Sequence, residues 1–217
     1  MSMNMAFSQL LLTIFFLTII FLHTAKKNFW VAVMYGIQSL TVVLLLVRFF
    51  LETGNVALLL IALLTLIIKI ILAPVFIIRL IKKHELKFSA STYVNTPIAL
   101  IMVATFTAIA HSHLFAPLIG IIPVNQKLLA IALSSIFISL FLIINRKGAL
   151  SQIIGILSLE NSIVVFGLFA GLEQSLGLQI GIIFDIFVWF MIATVFISMI
   201  YKHFGSLDVT EMKELKD

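Results

Sequence analysis

Long apolar runs separated by short polar connectors constrain this chain more than any other feature of its sequence. An α-helix needs about 20 mostly apolar residues to cross the hydrocarbon core of a bilayer, and its backbone groups must be paired within the helix. Seven runs have that length: 6–23, 29–51, 55–80, 96–118, 125–145, 149–172 and 177–202. The sequence therefore predicts an all-α, polytopic membrane protein with seven transmembrane helices.

Composition leads to the same class. Of the 217 residues, 62% are hydrophobic and 11% are charged, whereas a soluble domain has about 45–50% apolar and about 25% charged residues. The net charge of +5 comes from basic residues between apolar runs, so we expect contact with the lipid bilayer and no nucleic-acid partner. The absence of cysteine and of phosphate-loop, nucleophile or zinc motifs predicts no catalytic centre, metal or cofactor within the chain.

The distribution of basic residues predicts the orientation of the chain. Connectors after the first, third and fifth runs are basic, whereas those after the second, fourth and sixth runs are nearly neutral. Cytoplasmic loops are enriched in Lys and Arg. We therefore expect a prokaryotic inner-membrane protein with its N-terminus outside and its C-terminal tail, residues 205–217, in the cytoplasm. The basic residues are Lys26, Lys27, Arg79, Lys82, Lys83, Lys87, Arg146 and Lys147.

Two matches indicate an internal duplication. Residues 35–40, YGIQSL, resemble residues 154–159, IGILSL, and residues 73–77 resemble residues 193–197, at shifts of 119 and 120. The predicted organisation is a three-helix repeat, a linker helix, a second three-helix repeat of parallel topology and a tail. The respective boundaries are 1–87, 88–122, 123–204 and 205–217.

Three charged residues lie deep inside apolar runs and are the main candidates for function. Lys69, Glu160 and Asp185 are each at least eight residues from the ends of their runs. A charge at the bilayer centre costs about 2.5–3.5 kcal/mol on insertion scales and more on others. A buried carboxylate beside a movable lysine can exchange protons, so we predict a proton or ion pathway. A fixed buried pair that fastens helices is the structural alternative, and Lys69 has two possible partners, Glu160 and Asp185.

Four uncharged polar residues are candidates for support of that pathway. In the proposed duplication, Glu160 aligns with Thr41, and Gln38 lies one turn before Thr41. Thr65 aligns with Asp185, and Asn161 follows Glu160. A hydrated path and ordinary hydrogen bonds between membrane helices explain Gln38, Thr41 and Thr65 equally well.

Several segments resemble a known family. Residues 154–165, IGILSLENSIVV, resemble the glutamate-bearing span of the K-type subunit of complex I and of antiporter C-type subunits, and residues 205–212 are similar to that subunit's tail. Residues 35–40 and 67–74, IIKIILAP, resemble the hydrogenase-4 membrane subunit, component E, of formate hydrogenlyase-type complexes.

This resemblance implies a non-catalytic membrane subunit of a group 4 hydrogenase complex, without cofactors. Its partners would be antiporter-like subunits, the H-type/C-type membrane subunit and, indirectly, a peripheral nickel–iron arm. Glu160 and Asp185 would be the relay carboxylates. The second acid is one methylene shorter than the family's glutamate, and Lys69 lies in a half that the K-type subunit lacks. A free-standing ion transporter or channel and a purely structural anchor are the alternatives, and the sequence leaves open whether the ion is H⁺ or Na⁺.

Overall fold

The fold is all-helical wherever it is described. The computed structural model describes residues 2–75, 79, 91–117 and 126–171. Within these ranges extended pairing is limited to isolated bridge residues: Thr92 pairs with Arg146, and Lys27 and Gly148 are also bridge residues. The predicted run 177–202 and its Asp185 lie outside the described residues, as does the predicted tail.

Six helices account for most of the described chain. Five stretches are long and apolar enough to cross a membrane, as judged by length and composition, and the fourth helix is shorter. The helices are α1 Ser2–Thr24, α2 Asn28–Thr53, α3 Val56–Thr65, α4 Thr96–Ala110, α5 Gln126–Asn145 and α6 Ala149–Phe169, and a π-helix, Leu66–Leu72, continues α3. The prediction of an all-α membrane protein is thus confirmed at the level of class.

Polar residues and one glycine set the helix boundaries. The side chain of Asn55 accepts a hydrogen bond from the Ala57 N–H at the start of α3. Asn95 does the same for Ile98 at the start of α4, so each helix begins at a residue that satisfies one of its free N–H groups. Gly54 ends α2 with φ of 67°, a left-handed conformation that glycine adopts without strain.

The predicted fourth run was too long. Residues 96–118 were expected to be one helix, but α4 ends at Ala110. A ring nitrogen of His111 lies 2.8 Å from the Thr107 carbonyl oxygen, and the Ser112 hydroxyl donates to the Ile109 carbonyl. These side chains bond the last carbonyl groups of the helix, which favours ending the helix over continuing it.

Helices α2 and α6 pack against each other in the described bundle. α2 packs against α1, α3 and α6, while α6 also packs closely against α5. Buried aliphatic and aromatic side chains fill the space between them, including Phe15 of α1, Leu45 of α2 and Val165 of α6. This arrangement brings the π-helix after α3 next to α6.

Three connectors meet at one end of the bundle. The Arg146 guanidinium, at the end of α5, donates to the carbonyl oxygens of Leu22 and Ala25 at the end of α1. The Tyr93 N–H, in the segment before α4, donates to the Asn145 carbonyl at 2.9 Å. The connectors that precede α2, α4 and α6 therefore share one side of the molecule.

Candidate functional site

Lys69 and Glu160 form an ion pair inside the bundle. Lys69 Nζ lies 2.6 Å from Glu160 Oε2. The whole of Lys69 is 1% exposed, and the Glu160 side chain is 14% exposed. Among the described residues, Glu160 is therefore the partner of Lys69, which was one of the two pairings that the sequence left open.

Asn161 is a second acceptor for the same lysine. Lys69 Nζ donates to Asn161 Oδ1 at 2.8 Å. The Asn161 amide nitrogen in turn donates to the Ser39 hydroxyl of α2 at 3.1 Å. Because Asn161 and Ser39 are both 0% exposed, these hydrogen bonds do not compete with bulk water and fix the direction in which the amide points.

The π-helix presents Lys69 to α6. Lys69 lies within Leu66–Leu72, and the Ala73 N–H donates to the Ile68 carbonyl, five residues back. Pro74 follows and has no N–H to donate. A π-turn widens the helix and shifts the angular position of its side chains, and such turns occur often at functional sites. Thr65, 3% exposed, lies four residues before Lys69.

A second polar cluster lies beside the ion pair. The Gln38 amide nitrogen of α2 donates to the Ser158 hydroxyl of α6 at 2.8 Å. The Ser139 hydroxyl of α5 lies 3.2 Å from that of Ser158 and 3.1 Å from that of Ser162. We call Gln38, Ser139, Ser158 and Ser162 the hydroxyl cluster. All four are 0% exposed, so the cluster joins three helices within the bundle.

Two buried oxygen atoms near the ion pair have unused hydrogen-bonding capacity among the described residues. Oε1 of Glu160 is buried and has no hydrogen-bond partner in the described part of the chain. Tyr35 of α2 is 0% exposed, and its hydroxyl oxygen is also without a hydrogen-bond partner among the described residues. Within the part of the chain that the structure describes, the carboxylate therefore has one oxygen held by Lys69 and one oxygen available to another donor.

The structure brings together some predicted site residues and separates others. Lys69, Glu160 and Asn161 lie in one site, and Gln38 lies in the adjacent hydroxyl cluster. Thr41 donates to the Gln38 carbonyl of its own helix at 2.6 Å, and among the described residues its hydroxyl makes no hydrogen bond to another helix. The prediction for Asp185 lies outside the described residues.

Sequence reasoning missed the serines and Tyr35. Ser39, Ser139, Ser158 and Ser162 are ordinary membrane-helix residues when each is considered alone. Their signal was the spacing of small residues along α6, at positions 151, 155, 158 and 162, which lie on one helix face. Such a face favours close helix packing in membranes.

Arg146, one of the basic residues used to predict the orientation, is buried in the structure. It is 1% exposed and binds the end of α1. Burial lowers the pKa of Arg146 to about 10, so the side chain is still charged at neutral pH. Its neighbour Lys147 lies 5.2 Å from the centroid of the Tyr93 ring, a distance suited to a cation–π contact.

By length and composition, the helices define the class: a multi-pass α-helical membrane protein that contains a charged pair in its interior. No protein-family model, curated protein or solved structure matches this chain. No group of three or more potential metal-ligating His, Cys, Asp or Glu residues occurs within the described ranges. The site must therefore be interpreted from its own chemistry, which is that of a carboxylate, an ammonium group, an amide and hydroxyl groups.

Proposed function

We propose that this chain is a membrane-arm subunit of a group 4 hydrogenase or related complex I-like assembly. Its buried charges would form part of a proton or sodium pathway that is coupled to redox chemistry in partner subunits. The observation that carries this proposal is the Lys69–Glu160 pair, with its 2.6 Å separation and its carboxylate oxygen Oε1, which has no hydrogen-bond partner among the described residues. The resemblance of residues 154–165 and 67–74 to subunits of such complexes supports the assignment.

The Oε1 atom of Glu160, which has no partner among the described residues, favours a transport role over a pair that only fastens helices. A buried pair contributes most to stability when every donor and acceptor is satisfied, because desolvation otherwise exceeds the Coulomb gain. Glu160 instead keeps Oε1 without a partner among the described residues. That oxygen is where a proton, a water molecule or a group from a neighbouring subunit can bind.

The proposal includes seven spans, an external N-terminus and two three-helix repeats. The common location of the connectors before α2, α4 and α6 supports the alternation of sides. Cross-contacts support the duplication, since Gln38 meets Ser158 and Ser39 meets Asn161. These partners are 120 and 122 positions apart, close to the repeat shift. Residue numbers rise together on both helices, so α2 and α6 run parallel, as the proposed repeats require.

The test is the substitution Glu160→Gln in the intact complex, studied in inverted membrane vesicles. We expect redox-driven proton or sodium uptake to fall at least tenfold, because the amide cannot accept and release a proton. Glu52→Gln is the matched control, since Glu52 pairs with Arg48 at the end of α2 and lies in an exposed position. It should transport normally.

Two results would overturn the proposal. Unchanged ion uptake in a fully assembled Glu160→Gln complex would assign the pair to helix fastening. Purification of the chain as a stable oligomer without redox subunits, from membranes solubilised in a mild detergent, would point to a free-standing transporter.

A further inference from the structure

Lys69 has two acceptors of different kind, and they are consecutive residues. Glu160 offers a charged oxygen at 2.6 Å, and Asn161 offers a neutral oxygen at 2.8 Å. When Glu160 takes up a proton, it loses its charge attraction for the lysine. An ammonium group that is 1% exposed would then lack a strong partner, which is costly in a medium of low polarity.

Asn161 is held in an orientation in which its side-chain oxygen can accept a hydrogen bond from Lys69. An unrestrained amide can rotate so that either its oxygen or its nitrogen faces the lysine. Here the nitrogen donates to Ser39 at 3.1 Å, so the oxygen faces Lys69. Ser39 lies on α2 and Asn161 on α6, and both side chains are 0% exposed.

We propose that Asn161 and Ser39 are positioning residues that keep Lys69 bound while Glu160 exchanges its proton. This inference rests on the proposed function. Asn161 is the neutral acceptor that remains when the carboxylate is protonated, and Ser39 sets the direction of its amide. Among the described residues, loss of either one leaves the lysine dependent on Glu160, which then stays paired and exchanges protons slowly.

Two substitutions of Asn161 separate this role from packing. Asn161→Leu is close to asparagine in size but removes the acceptor. We expect ion uptake by the intact complex in membrane vesicles to fall about tenfold to a hundredfold, the range expected for one hydrogen bond to a charged group. Asn161→Asp replaces the neutral acceptor with a second carboxylate. It should be slow at neutral pH and recover as the pH falls, because a protonated carboxyl group is again a neutral acceptor.

Few other titratable side chains of the described residues could cause a pH dependence of uptake in the Asn161→Asp variant. In the described part, the titratable or charged side chains at this site are Tyr35 on α2, Lys69 on the π-helix and Glu160 on α6. All three are present in the native chain and in the Asn161→Asp variant. A recovery at low pH that appears in Asn161→Asp, but not in Asn161→Leu, is therefore due to the added carboxyl group.

Substitutions of Ser39 test the hydrogen bond between the Asn161 amide and the Ser39 hydroxyl. Ser39→Ala should lower uptake in the native chain but cause no further loss in the Asn161→Leu background, because the two residues act in series. Ser39→Thr keeps the hydroxyl and should restore most of the activity. Ser134→Ala is the control, since it removes a buried hydroxyl that donates to the Ala130 carbonyl of its own helix and lies outside the hydroxyl cluster.

The outcomes separate this inference from the proposed function. If Glu160→Gln stops uptake and assembled Asn161→Leu transports normally, the positioning role is wrong and the pathway remains. If Glu160→Gln transports normally, both are wrong. If Asn161→Leu does not assemble, Asn161→Asp at low pH and Ser39→Ala test the positioning role instead. Normal uptake by Ser39→Ala together with pH-independent uptake by Asn161→Asp would overturn the inference.

Discussion

Lys69 and Glu160 each lose most of their hydration on folding, and their mutual attraction offsets only part of that cost. The effective penalty is several kcal/mol for each buried ion. Lys69 gains two acceptors in return, Glu160 Oε2 and Asn161 Oδ1. At the residue scale, the two charged side chains therefore stabilise each other. We expect removal of one of them to lower the free energy of unfolding more than removal of both.

We predict that Lys69→Met destabilises the protein by about 3–5 kcal/mol, the cost of leaving a buried charge without its partner. The double variant Lys69→Met with Glu160→Gln should recover a large part of that loss, because neither buried charge remains. Reversible unfolding in mixed detergent micelles measures both variants. Losses that simply add in the double variant would show that the two side chains do not interact.

At the element scale, α6 contacts α5 through small side chains. Ser151, Gly155, Ser158 and Ser162 recur every three or four residues, and the three serines are at most 2% exposed. A Cβ at Gly155 would lie 2.8 Å from Ile143 Cγ1 and 3.3 Å from the Ile143 backbone N and Cα. This close approach lets the Ser139 hydroxyl reach Ser158 and Ser162.

Gly155→Ala should therefore destabilise the protein by about 1–3 kcal/mol, the usual cost of overpacking, despite the better helix propensity of alanine. Gly36 is the matched control, because it aligns with Gly155 in the proposed repeat and an added Cβ there meets no atom of the described residues within 4 Å. Gly36→Ala should be neutral or stabilising by up to about 1 kcal/mol. Unfolding of the two variants in the same micelles is the measurement, and equal effects would contradict the packing argument.

The elements differ in how well the sequence predicts them. Helices α1, α2, α5 and α6 begin and end within a few residues of their predicted apolar runs, since hydrophobic length determines a membrane span. The end of α4 was missed because His111 and Ser112 bond the last carbonyl groups. The π-helix at Leu66–Leu72 was not predicted either, because its hydrogen-bond register depends on packing as well as on the residue types within it.

The sequence predicts those residues of the candidate site whose burial in a membrane costs the most free energy. Lys69 and Glu160 stand out because a charge in an apolar run requires an explanation. Ser39 and Ser139 do not, because a serine in a membrane helix can bond its own backbone at little cost, as Ser134 does with the Ala130 carbonyl. Which serines meet across helices depends on rotation of the helices about their axes, and the sequence alone does not fix that rotation.

At the scale of the whole molecule, contacts between the connectors show which residues lie at the same end of the bundle. Arg146 ties the end of α5 to the end of α1, and the Lys147 N–H donates to the Ser91 carbonyl before α4 at 3.1 Å. These contacts place Lys26 and Lys147 at the same end of the bundle, whereas Glu52 lies at the far end of α2. If the helices cross a membrane, the two groups of residues face opposite compartments.

The lack of native cysteine makes that arrangement directly testable. Lys26, Glu52 and Lys127 lie in exposed positions at connectors, so single cysteines there should leave the packing unchanged. A membrane-impermeant maleimide added to intact spheroplasts should label Glu52→Cys and Lys127→Cys, but should label Lys26→Cys only after lysis. The positive-inside rule predicts this result, because it places the basic connector in the cytoplasm. Labelling of Lys26→Cys in intact cells would reverse the orientation, and labelling of Glu52 and Lys127 on different sides would contradict the even number of spans between them.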